Sequence, residues 1–357
     1  MPCKTAFLVS EDFLKYDFGP WHPFKPYRWK LALEILERKK VFEKGFADIV
    51  TARRASIEEL LMVHDRSYIE FVAKATERGE GFLDYGDTPA RKGVFEGALA
   101  RVGASVQGVD LVLSGFYNHA FNPCGGLHHA RTSAAAGFCV FNDLAVAVRH
   151  AQRRYGLKRI AVIDVDGHHG DGTQDIFYKE SSVLKISLHR YGIYPGSGWY
   201  TEIGYGEGEG YTINIPLPEN TDDSSYLYAF REIVVPVVLE YKPELIILQY
   251  GADSHYEDPL VGLGLTTYGY EEIMRIIHRI SHETSGGRIL VTGGGGYAPE
   301  NVARIWSIGF IRLADLDLDI SDLHDRIERS IDREPSYYVR DLVERIKNLL
   351  RRYYRSL

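Results

Sequence analysis

The chain has 357 residues, 45% of them hydrophobic and 25% charged, a globular composition that excludes collagen-like and disordered classes. A net charge of -7 leaves no basic footprint, so no direct nucleic-acid binding is expected, and no apolar stretch reaches membrane length. Three cysteines, Cys3, Cys124 and Cys139, are odd in number and lack C-x-x-C spacing, which argues against a disulfide framework and a thiolate zinc site and points any metal to His, Asp or Glu. The opening MPCKTAFLVSEDF is interrupted by Glu11 and Asp12 before it can form a signal-peptide core, so a cytoplasmic location is expected. Within it, TAFLVS at 5–10 reads as a strand. Ser56 to Glu59 forms a capping box that opens a helix through Leu60 and Leu61, and helical periodicity follows over 89–114. After the short run HAF comes a Gly- and His-containing segment at 121–143, then a helix at 143–155. Strands are expected at 159–166 (RIAVIDVD), 183–189 (VLKISLH), 244–250 (ELIILQY) and 288–294 (RILVTGG), with helices at 223–240 and 269–283 between them. A basic amphipathic helical segment at about 323–357 closes the chain, with Val343, Ile346 and Leu350 facing inward. The strand runs are nearly continuous in apolar residues, as in parallel sheets covered by helices on both faces. With no repeat and no linker, the expectation is one doubly wound α/β domain over 1–357, whose ligands gather at the carboxyl ends of the strands.

That rule directs attention to IDVDGHHGDG, where Asp164, Asp166 and His168 fall at i, i+2 and i+4 and so are expected on one face of the strand end. Carboxylates packed there repel one another unless a cation joins them. Past ELIILQY, Asp253 stands at the matching position to complete the site. His255 and Asp258 are competitors farther into the loop, and Asp258, before Pro259, reads as a turn initiator. Three ligands leave an open position for water and substrate, as a catalytic metal requires. Oxygen and nitrogen donors suit Zn²⁺, and also Fe²⁺ or another divalent ion.

Around this site, His128 and His129 are adjacent on extended backbone and point apart. Each is able to meet its own carboxylate, with Asp164 and Asp171 available. Gly137 and Phe138 are placed at the entrance. VTGGGGYAPE fits neither a phosphate loop nor a dinucleotide fingerprint, and its Tyr297 reads instead as a hydrogen-bond donor to an oxyanion.

In order, GGLHHA, GFCVFND, IDVDGHHGDGTQ, ISLHRYGIYPGSG, GADSHYEDPL and GGGGY resemble the histone deacetylase superfamily over nearly the whole chain, with GGLHHA leaning towards its lysine-deacetylase and acetoin-utilisation branches. The resemblance implies the arginase/deacetylase fold, with a mainly parallel eight-stranded sheet. It implies Asp166, His168 and Asp253 as metal ligands, the pairs His128 with Asp164 and His129 with Asp171, and Tyr297 as oxyanion donor. It also implies an acyl tunnel lined by Gly137, Phe138 and Tyr194, the last where Phe is common. Leu260 falls near the rim, and Asp87 is the residue that binds substrate backbone. A K⁺ or Na⁺ ion is implied at the backbone of Asp164, Asp166, His168 and Leu188 with the Ser187 hydroxyl. The reaction so implied is hydrolysis of an N-acetyl amide on a protein, peptide or small-molecule amine, with His129 as base. Alternatives are an acetylpolyamine or other short-chain N-acyl amidohydrolase, an arginase-like binuclear hydrolase, and a non-catalytic module that binds acetylated ligands.

Overall fold

Apolar runs of β-branched residues become strands where helices cover them on both sides. The computed structural model describes residues 3–327 and 331–357. Its strands are β1 (Thr5–Val9), β2 (Ala47–Thr51), β3 (His119–Asn122), β4 (Ile160–Asp164), β5 (Val183–Arg190), β6 (Thr212–Leu217), β7 (Leu245–Gln249) and β8 (Ile289–Thr292). They form one eight-stranded sheet in the order β2-β1-β3-β8-β7-β4-β5-β6. Each pairing is parallel, so the sheet is wholly parallel where the sequence implied mainly parallel. Every residue of β4 and β7 is buried, and these two strands lie side by side, bringing Asp164 into register with Gln249.

The helices are α1 (Arg28–Arg38), α2 (Ile57–Leu60), α3 (Arg66–Arg78), α4 (Val94–Leu113), α5 (Asp143–Tyr155), α6 (Asp171–Phe177), α7 (Asp223–Ala229), α8 (Val235–Tyr241), α9 (Thr267–Thr284), α10 (Pro299–Leu313) and α11 (Tyr337–Leu350). The capping box at Ser56 is formed on both of its sides. A π-helical turn at Phe230–Val234 joins α7 to α8 within the expected 223–240 helix. Among the described residues the closing segment is α-helical over Tyr337–Leu350 alone, and Glu328, Arg329 and Ser330 of the expected 323–357 stretch lie outside the described residues. Val343, Ile346 and Leu350 are buried in the main apolar core. A second apolar cluster, including Tyr16, Phe24, Tyr68, Val102 and Phe141, supports the segment that carries His128 and His129. No helix among the described residues is long and apolar enough to cross a membrane.

Candidate active site

Asp164 ends β4, so Asp166 and His168 stand on the loop beyond it. The expected alternation on one strand face is therefore not what aligns them. The loop is pinned instead by hydrogen bonds: Asp164 Oδ1 accepts from the Asp166 N–H at 3.2 Å, Asp166 Oδ1 from the His168 N–H at 3.1 Å, and Asp253 Oδ1 from the Gly167 N–H at 2.7 Å. Asp166, His168 and Asp253 converge with one ligand atom from each within 4.8 Å of the others, all three residues buried. His168 Nδ1 lies 2.9 Å from Asp253 Oδ2 and 3.4 Å from Asp166 Oδ1, so this nitrogen faces both carboxylates.

This donor set fits a divalent cation. Burial and the neighbouring Asp166 carboxylate push Asp253 up to about 7. Asp166 is held well below the ordinary range, because the positive charge of His128 and the contacts with His168 overcome the opposing effect of burial. His168 goes up to about 10: burial opposes this, but hydrogen bonds to Asp166 and Asp253 prevail. Two buried carboxylates and an imidazole converging here offer the oxygen and nitrogen donors that a divalent ion takes.

Two groups hold Asp166 from behind. Gln249 Nε2 donates to Asp166 Oδ2 at 2.6 Å, and the Gly295 N–H donates to the same oxygen at 2.7 Å. The glycine run reflects this crowding: a Cβ on Gly295 would sit 2.2 Å from Asp253 Oδ2, and one on Gly251 2.3 Å from Asp166 Oδ2. Arg28, buried, donates to the carbonyls of Gly294 and Gly296 and fixes the same run. Asp258 does initiate a turn, accepting from the N–H groups of Leu260 and Val261, but its other oxygen accepts from the Tyr297 N–H at 2.8 Å. It therefore also positions the tyrosine. His255, the other competitor, is turned away to Asp325 at 3.0 Å.

The two histidines take separate carboxylates, but they do not point apart as extended backbone predicts: their rings converge, with centroids 4.1 Å apart. His128 Nδ1 is 2.8 Å from Asp164 Oδ2, His129 Nδ1 is 2.7 Å from Asp171 Oδ1, and their Nε2 atoms lie 3.1 Å apart. Arg131 donates to the second oxygen of Asp171 at 2.8 Å. Burial and the His128 charge lower His129 to about 4, whereas for His128 the pull of Asp164 and Asp166 outweighs burial and raises it to about 9. The surrounding charges thus favour His128 as the protonated partner and His129 as the neutral one. The local backbone is set by Asn142 and Asp143 at the start of α5. Asn142 caps that helix and donates to the carbonyls of His128 and Ala130, and Asp143 accepts from the N–H groups of Gly126 and Leu127.

A cavity beside these groups is lined by Asp87, Gly137, Phe138, Tyr194, Leu260 and Tyr297, together with His129, His168 and Ile193. Gly137 has φ of 51°, and a Cβ there would meet His129 at 2.5 Å and Tyr194 at 2.8 Å, so only glycine passes between them. Phe138, at φ 66°, is held in this unusual conformation by its carbonyl accepting from Tyr16 Oη at 2.6 Å and its N–H donating to Thr88 Oγ1 at 3.2 Å. The Tyr194 ring stands edge-on to His129, with centroids 5.0 Å apart. Burial and the Asp253 and Asp166 charges keep the Tyr297 phenol protonated far above its ordinary range, which leaves it a donor.

Of the residues implied for a monovalent cation, Asp164 stands in register with Ser187 where β4 and β5 pair, Leu188 follows on β5, and Asp166 and His168 lie on the loop beyond β4. Ser187 Oγ is 3.0 Å from His189 Nδ1. On the same face of β5, the buried Lys185 amine reaches His169, and burial lowers it to about 8 against the attraction of Asp164 and Asp171.

Sequence reasoning missed Gln249, Arg28, Arg131, Asn142, Asp143 and Ile193. Only Asn142 carried a local signal, as a helix cap before an apolar periodic stretch.

The family description that matches the chain, over residues 22–311, is the histone deacetylase domain. The chain is 42% identical over 316 residues to the acetoin utilization protein AcuC of Bacillus subtilis (strain 168), a match covering 85% of this chain and 81% of that protein. It is 37% identical over 345 residues to a probable deacetylase of Archaeoglobus fulgidus, covering 96% and 92% respectively. The crystal structure of the HDA15 HD domain superposes with a TM-score of 0.87 at 28% identity, covering 99% of this chain and 96% of that one.

Proposed function

This chain belongs to the histone deacetylase family, and on that premise we propose that it hydrolyses an N-acetyl amide, on acetyl-lysine or a related acetylated amine, to acetate and the free amine. The observation that carries the reading is the placement of the His128–Asp164 and His129–Asp171 pairs directly beside the Asp166, His168 and Asp253 cage, on a cavity that Tyr297 also lines. Those ligands would hold Zn²⁺, or Fe²⁺ or another divalent ion, which when bound supplies Lewis-acid polarisation of the amide carbonyl and of water.

The chain's own groups do the rest. His129, neutral and oriented by Asp171, takes the proton from the attacking water. Tyr297 donates to the oxygen that becomes negative as the carbonyl carbon turns tetrahedral. His128, protonated and anchored by Asp164, stabilises that negative charge, and a proton from the pair passes to the departing nitrogen. Phe138 and Tyr194 exclude water from the acyl-amine stem, and Asp87 at the rim meets backbone N–H groups of a peptide substrate. A K⁺ or Na⁺ ion beside Asp164 and Ser187 would add positive charge there. We place the reaction in the cytoplasm, with an acetylated protein, peptide or small-molecule amine as the partner and neither nucleic acid nor membrane; three cysteines without a disulfide fit that compartment.

The test is acetate release from a panel of acetyl-lysine peptides, acetylated polyamines and small acetylated metabolites, with the purified chain loaded with Zn²⁺ or Fe²⁺. Turnover of one class supports the reading and selects the substrate. Inactivity towards all of them supports a binding module instead.

A further inference from the structure

At the opposite end of the sheet, four side chains meet that no step above uses. Cys3 precedes β1, His119 is the first residue of β3, and His278 and His282 lie one turn apart on one face of α9 near its C-terminus. Their ligand atoms all lie within 4.8 Å of one another. In register, His119 pairs with Thr5 on one side and Ile289 on the other, so the cluster joins the amino ends of β1 and β3 to the helix that leads into β8. The catalytic cage stands at the carboxyl ends, so roughly 13 Å of strand separates the two.

The spacing of these groups is compatible with a tetrahedral metal centre. Cys3 Sγ lies 3.4 Å from His282 Nε2, and His282 Nε2 lies 3.1 Å from His278 Nε2. A tetrahedral Zn²⁺ with bonds of about 2.3 Å to sulfur and about 2.0–2.1 Å to nitrogen sets its ligand atoms roughly 3.3–3.6 Å apart. The same bonds put imidazole centroids roughly 5 Å apart; here they are 5.1 Å for His119 and His278, 5.6 Å for His119 and His282, and 4.7 Å for His278 and His282. The rings stand nearly perpendicular to one another, at 81°, 83° and 86°.

His119 supplies an independent sign. It is wholly buried, yet neither ring nitrogen has a hydrogen-bond partner. Backbone at Gly287 and Asn118 comes close enough to act on the ring electrostatically but not in hydrogen-bonding geometry. A buried imidazole with both nitrogens unbonded is a rare defect, and a metal bond removes it.

We propose that Cys3, His119, His278 and His282 form a second, structural metal site that takes Zn²⁺ through one thiolate and three imidazoles. Four protein ligands leave no open position for substrate, so the ion clips the chain ahead of β1 and the start of β3 to the last turns of α9 and takes no part in hydrolysis. A Cys3 ligand departs from the expectation, drawn from cysteine spacing, that any metal uses His, Asp or Glu, because spacing reveals only sites built from neighbouring thiols. This one draws single ligands from distant segments and a pair from a helix.

Cobalt(II) substitution of the full chain, prepared without a histidine tag, separates the two centres because the catalytic cage has no sulfur ligand. The expected result is a second equivalent of bound cobalt and a thiolate-to-cobalt charge-transfer band in the near ultraviolet. Cys3→Ser should abolish the band and the second equivalent. His168→Ala should lose the other equivalent and keep the band. Where His119→Ala does not fold, the exposed His282→Asn serves, and it should weaken the second equivalent by at least about tenfold. A wild-type chain that binds one equivalent without the band, or a band that survives Cys3→Ser, overturns the proposal and leaves the four residues a hydrogen-bonded cluster.

Discussion

Replacing Gln249 by leucine isolates the support behind the catalytic cage without touching a ligand. Gln249 is wholly buried, donates to Asp166 Oδ2 at 2.6 Å, and accepts from the Gly251 N–H at 2.8 Å. Leucine has similar bulk and can do neither. A hydrogen bond to a charged group contributes about 1.5–3 kcal/mol. Independently, loss of a group that orients a ligand costs about 10–100-fold in metal affinity, or about 1.4–2.7 kcal/mol. The two ranges overlap, so Gln249→Leu is expected to weaken Zn²⁺ binding by about 10–100-fold. The stranded Gly251 N–H adds about 1–3 kcal/mol of destabilisation that does not depend on metal. Competitive zinc titration against a chromophoric chelator reads the first effect, and thermal unfolding of metal-free protein reads the second. Affinity within about twofold of wild type would refute the assignment of Gln249 as the residue that orients Asp166.

Gly295→Ala forces a methyl to within 2.2 Å of Asp253 Oδ2; the ligand must move, and metal affinity should fall by about tenfold or more, checked by the same titration. Tyr297→Phe keeps the ring and loses the donor, so kcat should drop by about 10²–10³ with metal affinity unchanged, which steady-state kinetics and metal analysis test together. Activity should follow a bell-shaped pH profile with macroscopic limbs that belong to the histidine pair: the acid limb, set by His129, lies below the ordinary imidazole range and the alkaline limb, set by His128, above it. A bound divalent ion draws both limbs down and keeps their order. His128→Asn removes the charge that depresses His129, so the acid limb should move to higher pH. For stability the signs are opposite: the contribution of His128, with its raised folded value of about 9, is full below about 6.5 and is lost as pH rises towards 9, whereas His129, with its lowered value of about 4, destabilises the fold as pH falls from about 6.5 towards 4. Chemical denaturation of metal-free protein across pH measures both.

The central strands were legible because continuous apolar runs leave no other reading, and β4 and β7 are buried throughout. β2 escaped because it is the sheet edge and alternates in exposure, with polar Asp48 and Thr51 in a short run. α10 escaped because its start, Pro299, follows a Gly-rich segment that read as loop alone. The triad Asp166, His168 and Asp253 was named from strand-end position, yet the physical reason differed in part: the strand stops at Asp164, and hydrogen bonds from loop N–H groups replace strand alternation. Gln249, inside ELIILQY, looks like the tail of a core strand until the neighbouring loop brings Asp166 to it. Arg28 and Arg131 show no pattern at all, since what distinguishes them is a partner more than 35 residues away. Tertiary hydrogen bonds of this kind have no period and no local signature, so they appear only with the fold.

The central claim rests on His129 acting as base beside a metal held by Asp166, His168 and Asp253. The direct measurement is acetate release from an acetyl-lysine peptide by wild type and His129→Ala, each with its metal content determined. The account predicts full metal occupancy in both and a rate about 10²–10⁴-fold lower in the variant. A variant that holds its metal and turns over at the wild-type rate contradicts it.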